Sequence, residues 1–416
     1  MVKTEKLKCG VTLVTEHMPA FNSTAFGVWV KTGAVNETRE IAGISHFIEH
    51  MMFKGTKNKT AKEIAESVDE IGGQINAFTG KEATCYYIRT LAENLEKSMD
   101  IILDMITKSL FDREEMEREK NVIYEEMKMI KDAPDEDALD TIGEIIFKDS
   151  PLGNSVIGTR SSLKKITRQK LLRYLKEQYT RDSIVVSVAG KFDEKIVREK
   201  IDEYLSDLNP AKSGVKYSSE KGESIFKVKT KDIEQSHICL ATRSLDSKDK
   251  RYYALSVLNN IIGGSMSSRL FQNVREQKGL AYSVYSGNNS YSESGFFNIY
   301  AGVSHDKIPE AISAIKEELI RLADIGVTKE ELNKAKIQLK AGYIYGLENV
   351  NARMFLNGKS LLTKGKVDIQ ENVLKDIDSV KLDDIEDVKK IICDIDSYSG
   401  VLVTSRRRDL RSLMRR

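Results

Sequence analysis

Among 416 residues with only five histidines, two histidines stand four apart in His46-Phe47-Ile48-Glu49-His50. Residues three and four apart share one face of an α-helix. A helix here would aim both imidazoles at one point, with Glu49 beside it. The preceding Glu40-Ile41-Ala42-Gly43-Ile44-Ser45 leads into such a helix. Two imidazoles leave Zn²⁺ short of its usual three protein ligands, so a third must come from elsewhere in the chain. A carboxylate next to a metal-activated water is a general base for hydrolysis. The competing reading is a structural pair of histidines bonded to their neighbours.

The length implies two domains of about 200 residues each. Hydrophobic content of 40% and charged content of 31% describe a soluble globular protein. A net charge of +2 gives no reason to expect nucleic acid or a membrane as partner. No apolar run reaches membrane length. The start, Met1-Val2-Lys3-Thr4-Glu5-Lys6-Leu7-Lys8, lacks the apolar core and cleavage site of a signal peptide. Cys9, Cys85, Cys239 and Cys393 are far apart and form no C-x-x-C pair. They read as reduced thiols of a cytoplasmic protein. The arginines near the end (Arg406, Arg407, Arg408, Arg411, Arg415, Arg416) read as a solvated tail.

Residues 6–15 and 22–31 alternate apolar and polar, which predicts paired strands. The histidine helix follows and ends near Lys54-Gly55. Thr60-Ala61-Lys62-Glu63 is a capping box opening a helix that stops at Gly72-Gly73. Gln74–Thr79 and Ala83–Thr90 read as a strand pair, then a helix over about 92–108. Asp112-Arg113-Glu114-Glu115 caps a longer helix that runs to about Lys131, before Ala133-Pro134. At about 100° per residue, Met116, Val122, Ile123, Met127, Met129 and Ile130 form one apolar stripe. Glu119 and Glu126 fall inside the stripe and Glu125 outside it. A carboxylate on a buried face needs a partner, and a metal site supplies one. Further on, a helix at about 168–179, a strand at Ser183–Ala189 and a helix at about 194–207 are expected.

Residues 1–210 are thus expected to form a metal-binding domain. The Pro-, Gly-, Ser- and Lys-rich 211–224 reads as a linker, and 225–416 as a second, similar domain. That second half has a strand at Ser236–Ala241. Its helix from Tyr252 stands where the first half has its histidines, with Asn259 and Asn260 near the place of Glu49 and no histidine. It therefore keeps the architecture and cannot hold the metal. Gly263-Gly264, a short helix through Arg275, strands at about 281–289 and 294–303, a helix from Pro309, a helical stretch capped by Thr328 and a strand Val401–Thr404 follow. Each half is α+β, a mostly antiparallel sheet covered by helices.

His46-Phe47-Ile48-Glu49-His50 is the His-Glu-x-x-His helix of zinc proteases read backwards. With the acidic helix that follows, it resembles the insulinase/pitrilysin family of zinc metallopeptidases. The likeness is greatest to the short-chain branch with the mitochondrial processing peptidase and its bacterial relatives, and it covers nearly the whole chain. The resemblance implies one Zn²⁺ per chain held by His46, His50 and Glu126, Glu49 as the base, and a supporting catalytic role for Glu119. It implies that Asn76, Ala77 and Phe78 lie on an edge strand to which peptide substrate adds as an extra strand. Gly263 and Gly264 resemble the family's glycine-rich substrate loop. Arg275 and Tyr282 resemble its Arg…Tyr element, which could stabilise the anion formed on attack. Glu136 and Asp140 match the positions that hold a substrate arginine in the processing peptidase. The implied activity is zinc endopeptidase, and the implied assembly a homodimer. The alternative is a non-catalytic or partner-dependent subunit of a processing peptidase complex, since that branch includes subunits that keep the fold and lose metal residues.

Overall fold

The strands expected near the start exist as β2 (Thr12–His17) and β3 (Ser23–Val30), after β1 (Val2–Lys6), but β2 and β3 are not partners. β6 (Ile184–Gly190) lies between them, parallel to β2 and antiparallel to β3. The reason is burial. β3 and β6 are apolar on both faces, as central strands must be, so β3 takes a neighbour on each side. β4 (Gln74–Thr79) and β5 (Thr84–Leu91) complete the order β1-β2-β6-β3-β5-β4, with β4 at an edge.

The computed structural model describes residues 2–210, 217, 222–406 and 408–415. Most of the expected linker, 211–224, lies outside the described residues. One compact unit comprises Met1–Met127, Asn154–Lys216 and Ile344–Ile369; the other comprises Lys128–Gly153, Tyr217–Tyr343 and Gln370–Arg416. The expected division at 210 and 225 thus misses two exchanged segments. The helix Val350–Lys364, late in the chain, packs on β2, β3 and β6 of the first unit. Its Met354 meets Ala25, Trp29, Val185 and Ala189 in one cluster. An added Cβ at Gly27 would lie 2.3 Å from Met354 Sδ, so the missing side chain lets the Met354 thioether lie close on β3. The other face of this sheet carries α1 (Ile44–Met52) at β4 and α3 (Leu95–Lys108) at β3 and β5, with α2 (Ala61–Glu70) beside α3. The Thr60 capping box forms as expected: Thr60 Oγ1 accepts from Glu63 N, and Glu63 Oε2 accepts from Thr60 N.

In the second unit β7 (Phe226–Thr230), β8 (Ser236–Ser244), β9 (Ala281–Ser290), β10 (Gly295–Val303) and β11 (Ser399–Thr404) run in the order β7-β11-β8-β10-β9. Chain order and neighbours repeat those of β2 to β6, including the single parallel pair in each sheet. Both units are therefore α+β with mostly antiparallel sheets. α4 (Arg113–Asp132) precedes α5 (Pro134–Ile146), which packs on β8 and β11. Arg406, Arg408, Arg411 and Arg415 are exposed, as a solvated segment requires, but the chain there is anchored. Leu410–Arg415 is a short helix whose Leu410 and Met414 enter the second core. The four cysteines are free. Among the described residues, no helix is long and apolar enough to cross a membrane.

Candidate metal centre

α1 begins at Gly43, whose φ of +89° and crowding against Ile157 O and Gly158 Cα leave no room for a side chain. The orphan amides of this first turn meet a buried carboxylate. Glu37, 5% exposed, accepts from Gly43 N through Oε2 at 2.7 Å and from Ser45 N through Oε1 at 2.8 Å. The Ser45 and Tyr174 hydroxyls lie 2.9 Å apart, and Tyr174 meets Thr32 at the same distance. The helix presents its inner face with Phe47, Ile48, Met51 and Met52 in the core and His46, Glu49 and His50 half-buried.

α4 supplies the carboxylates. Glu126 Oε1 lies 3.7 Å from His46 Nε2, and Oε2 lies 3.6 Å from His50 Nε2. These gaps are too long for hydrogen bonds. Two ligands about 2.1 Å from a shared ion at a tetrahedral angle stand about 3.4 Å apart, so the spacing suits zinc. Glu126 Oε2 is buried and has no hydrogen-bond partner. His46, His50 and Glu126 offer ligand atoms all within 4.8 Å of one another, the one such group among the described residues. Burial, with His50 alongside, pushes the His46 imidazole down to about 4. It is thus neutral near pH 7 with a lone pair available. Burial raises the Glu126 carboxyl, with His50 pulling it back. Glu119, in the buried stripe as expected, accepts at Oε2 from His50 Nδ1, 3.1 Å away, and fixes the ring with Nε2 toward Glu126. Glu125 is exposed. The stripe is narrower than its sequence suggested. Met116, Ile123 and Met127 are buried, whereas Val122 and Met129 are exposed because the covered face of this helix is narrow.

The Glu49 carboxylate accepts from Thr79 Oγ1 at 2.5 Å. Burial raises its pKa above the ordinary range; the Thr79 and His50 contacts pull it back, and Glu126 adds to the rise. A raised carboxyl is a stronger base. Thr79 ends β4, so the edge strand is tied to Glu49. Side chains alternate along a strand, which puts Phe78 on the opposite face. There it packs on Trp29 and Phe355 at ring-centroid distances of 5.5 and 5.8 Å. Asn76 turns its Oδ1 back on the N–H of Ala77.

The other expected residues belong to the second unit. Gly263 is pinned under Ser286, whose backbone nitrogen would lie 2.4 Å from an added Cβ. Gly264 is exposed. The expected short helix is a π-helix, Phe271–Gln277. Its Arg275 guanidinium lies 4.7 Å from the ring of Phe271 and 5.4 Å from that of Tyr282, which is 77% exposed on the edge strand β9. On α5, Glu136 and Asp140 are exposed. Asp137 between them is buried, with Lys229 at 2.5 Å and Lys231 at 2.7 Å.

Residues 12–160 match the family described as Insulinase (Peptidase family M16), and 165–339 match the M16 inactive domain. A protein of Bacillus subtilis named uncharacterized zinc protease YmxG is 41% identical over 92% of this chain and 93% of its own length. The chain belongs to the insulinase family of peptidases, M16. The "inactive domain" match begins within the first unit and falls mostly on the second, outside the His46, His50 and Glu126 group. Among solved structures, this M16 chain is similar to a protease from Helicobacter pylori (TM-score 0.86, 24% identity, 97% of this chain and 99% of that one). It is also similar to a peptidase M16 inactive domain from Pseudomonas fluorescens (TM-score 0.91, 18% identity, 98% and 99%). At such identities the structures support the fold alone.

Glu37 was missed from the sequence of this M16 chain because a single acid ahead of a helix carries no periodic signal. It has a measurable consequence. Burial lifts its carboxyl to about 7, although the Ser45 and Gly43 amides and the Lys81 charge oppose the rise; the Tyr174 hydroxyl also faces the group. The ordinary value is about 4.3. The folded state therefore binds this proton more tightly than the unfolded chain. Its stabilisation is full below about pH 4 and is lost as pH rises through 7, a change of about 3 kcal/mol. Denaturant unfolding from pH 4.5 to 8 should show a steeper decline for the wild type than for Glu37→Gln. Parallel curves would mean that Glu37 is ionised throughout.

Proposed function

We propose that this chain is a zinc-dependent endopeptidase acting on extended peptides or unfolded segments. The observation that carries this reading is the convergence of His46 Nε2, His50 Nε2 and the Glu126 carboxylate beside Glu49, with Glu49 joined through Thr79 to an edge strand. Zn²⁺ held by those three residues, one ion per chain, would supply Lewis-acid activation of a water and of the peptide carbonyl. Glu49 takes the proton released as water attacks and passes it to the leaving amine. Thr79 occupies one Glu49 oxygen, which leaves the other for this transfer. Asn76, Ala77 and Phe78 offer edge-strand backbone to the substrate, a mode that holds chain direction with little regard to sequence. On the same reading, Arg275 and Tyr282 of a second copy of the chain stabilise charge on the carbonyl oxygen, Gly263 and Gly264 admit the substrate backbone, and Glu136 with Asp140 favour a substrate arginine. Likeness to the processing-peptidase branch supports a homodimer, which the mass in solution by light scattering decides.

The test is digestion of a mixed peptide library with cleavage sites read by mass spectrometry. Internal bonds should be cut, a zinc chelator should stop the cutting, and added zinc should restore it. Cleavage indifferent to the chelator, or confined to chain ends, would reject the reading.

A further inference from the structure

The charge that pairs with Glu119 comes from Lys54, just past the end of α1. Lys54 Nζ lies 2.6 Å from Glu119 Oε1, while Glu119 Oε2 faces His50 Nδ1 at 3.1 Å. The Glu119 side chain is 6% exposed and that of Lys54 31%. An ionised carboxylate so far from water needs a counter-charge. Lys54 is the cation at hand. Its position is itself held. The Lys54 amide donates to Met51 O in the closing turn of α1, where the helix dipole favours a cation. The next residue, Gly55, has φ of +107°, and its carbonyl accepts from Leu110 N just ahead of α4. Arg168 then donates to Leu110 O and Phe111 O, fixing the turn in which Phe111 takes φ of +51°. Lys54 thus stands where the exit of the histidine helix meets the entrance of the glutamate helix.

We propose that Lys54 is a positioning residue of the metal centre. By occupying one oxygen of Glu119, it turns the other to His50 and so sets the Nε2 of that ring toward Glu126. This inference rests on the zinc reading above, and the test separates the two. Zinc affinity is measured by chelator competition on the full chain for wild type, Lys54→Met, Lys54→Arg, Glu119→Gln and the double variant Lys54→Met/Glu119→Gln. Partners that orient a metal ligand typically change affinity by about 10–100-fold. Lys54→Met should weaken zinc by that factor, and Lys54→Arg should recover most of it. The double variant should be no weaker than Glu119→Gln alone by more than about threefold, because both changes break one path. Should Lys54→Met fail to fold, Lys54→Gln, which keeps a polar stem without the charge, takes its place in the same cycle. Wild-type affinity in the folded charge-free variant, or losses that multiply in the double variant, would overturn the proposal. Absence of zinc binding by the wild type would instead overturn the zinc reading on which it rests.

Discussion

Glu49→Gln should leave zinc bound and lose nearly all peptide cleavage. The change keeps the size of the side chain and one oxygen, so Thr79 Oγ1 can still donate to it, and it leaves His46, His50 and Glu126 unaltered. What it removes is the group that accepts a proton. Loss of a positioned general base costs about 10²–10⁴-fold in rate. In the proposed mechanism Glu49 serves both in the attack and in the proton return to the leaving amine, so the larger figure is expected. Zinc content and the rate on one fluorogenic peptide, measured on the same preparation, check this. Retained activity above a few per cent of wild type would assign the base elsewhere.

Glu126→Gln should lose zinc, and Glu125→Gln should keep it. Adjacent residues on α4 point about 100° apart. Only Glu126 reaches the two Nε2 atoms, at 3.6 and 3.7 Å; Glu125 is exposed. An amide oxygen is a poorer donor than a carboxylate and brings no charge to offset the ion. Groups one step removed from a metal already cost about 10–100-fold in affinity, so loss of a direct ligand should exceed about 100-fold. Chelator competition on the two neighbours distinguishes them. Equal retention of zinc would mean that α4 is rotated from its register here, and the Glu119–His50 contact would then fall with it.

The grouping of the candidate metal residues was legible because its parts are local or periodic. His46 and His50 are one helical turn apart, and Glu119 and Glu126 are two turns apart on an otherwise apolar face. Each spacing translates directly into a shared side of a helix. The resemblance, not the spacing, singled out Glu126 over the other acids of α4. Strand pairing was less accessible. β2 and β3 are consecutive and similar in pattern, and nothing in either announces that β6, far along the chain, separates them. Glu37 and Lys54 were invisible for another reason. Each is one charged residue among many, and only their buried contacts distinguish them. The exchange of the helices Pro134–Ile146 and Val350–Lys364 between units was equally hidden, because an amphipathic helix shows that it covers a sheet without showing which.

That exchange bears on synthesis. Glu16 in β2 finds Arg353 and Asn357 across separations of 337 and 341 residues. While a ribosome makes the middle of the chain, the sheet behind His46, His50 and Glu126 has its inner face closed by α1 and α3. Its outer face, with Ala25, Trp29, Val185 and Ala189, stays bare until the helix around Met354 emerges. At about 5–20 residues per second, the interval between the end of β6 and that helix is about 8–35 seconds. For that time the nascent chain carries an apolar sheet surface with no partner of its own. Contacts of such long range fold slowly, and they make the late helix the step that completes the first unit.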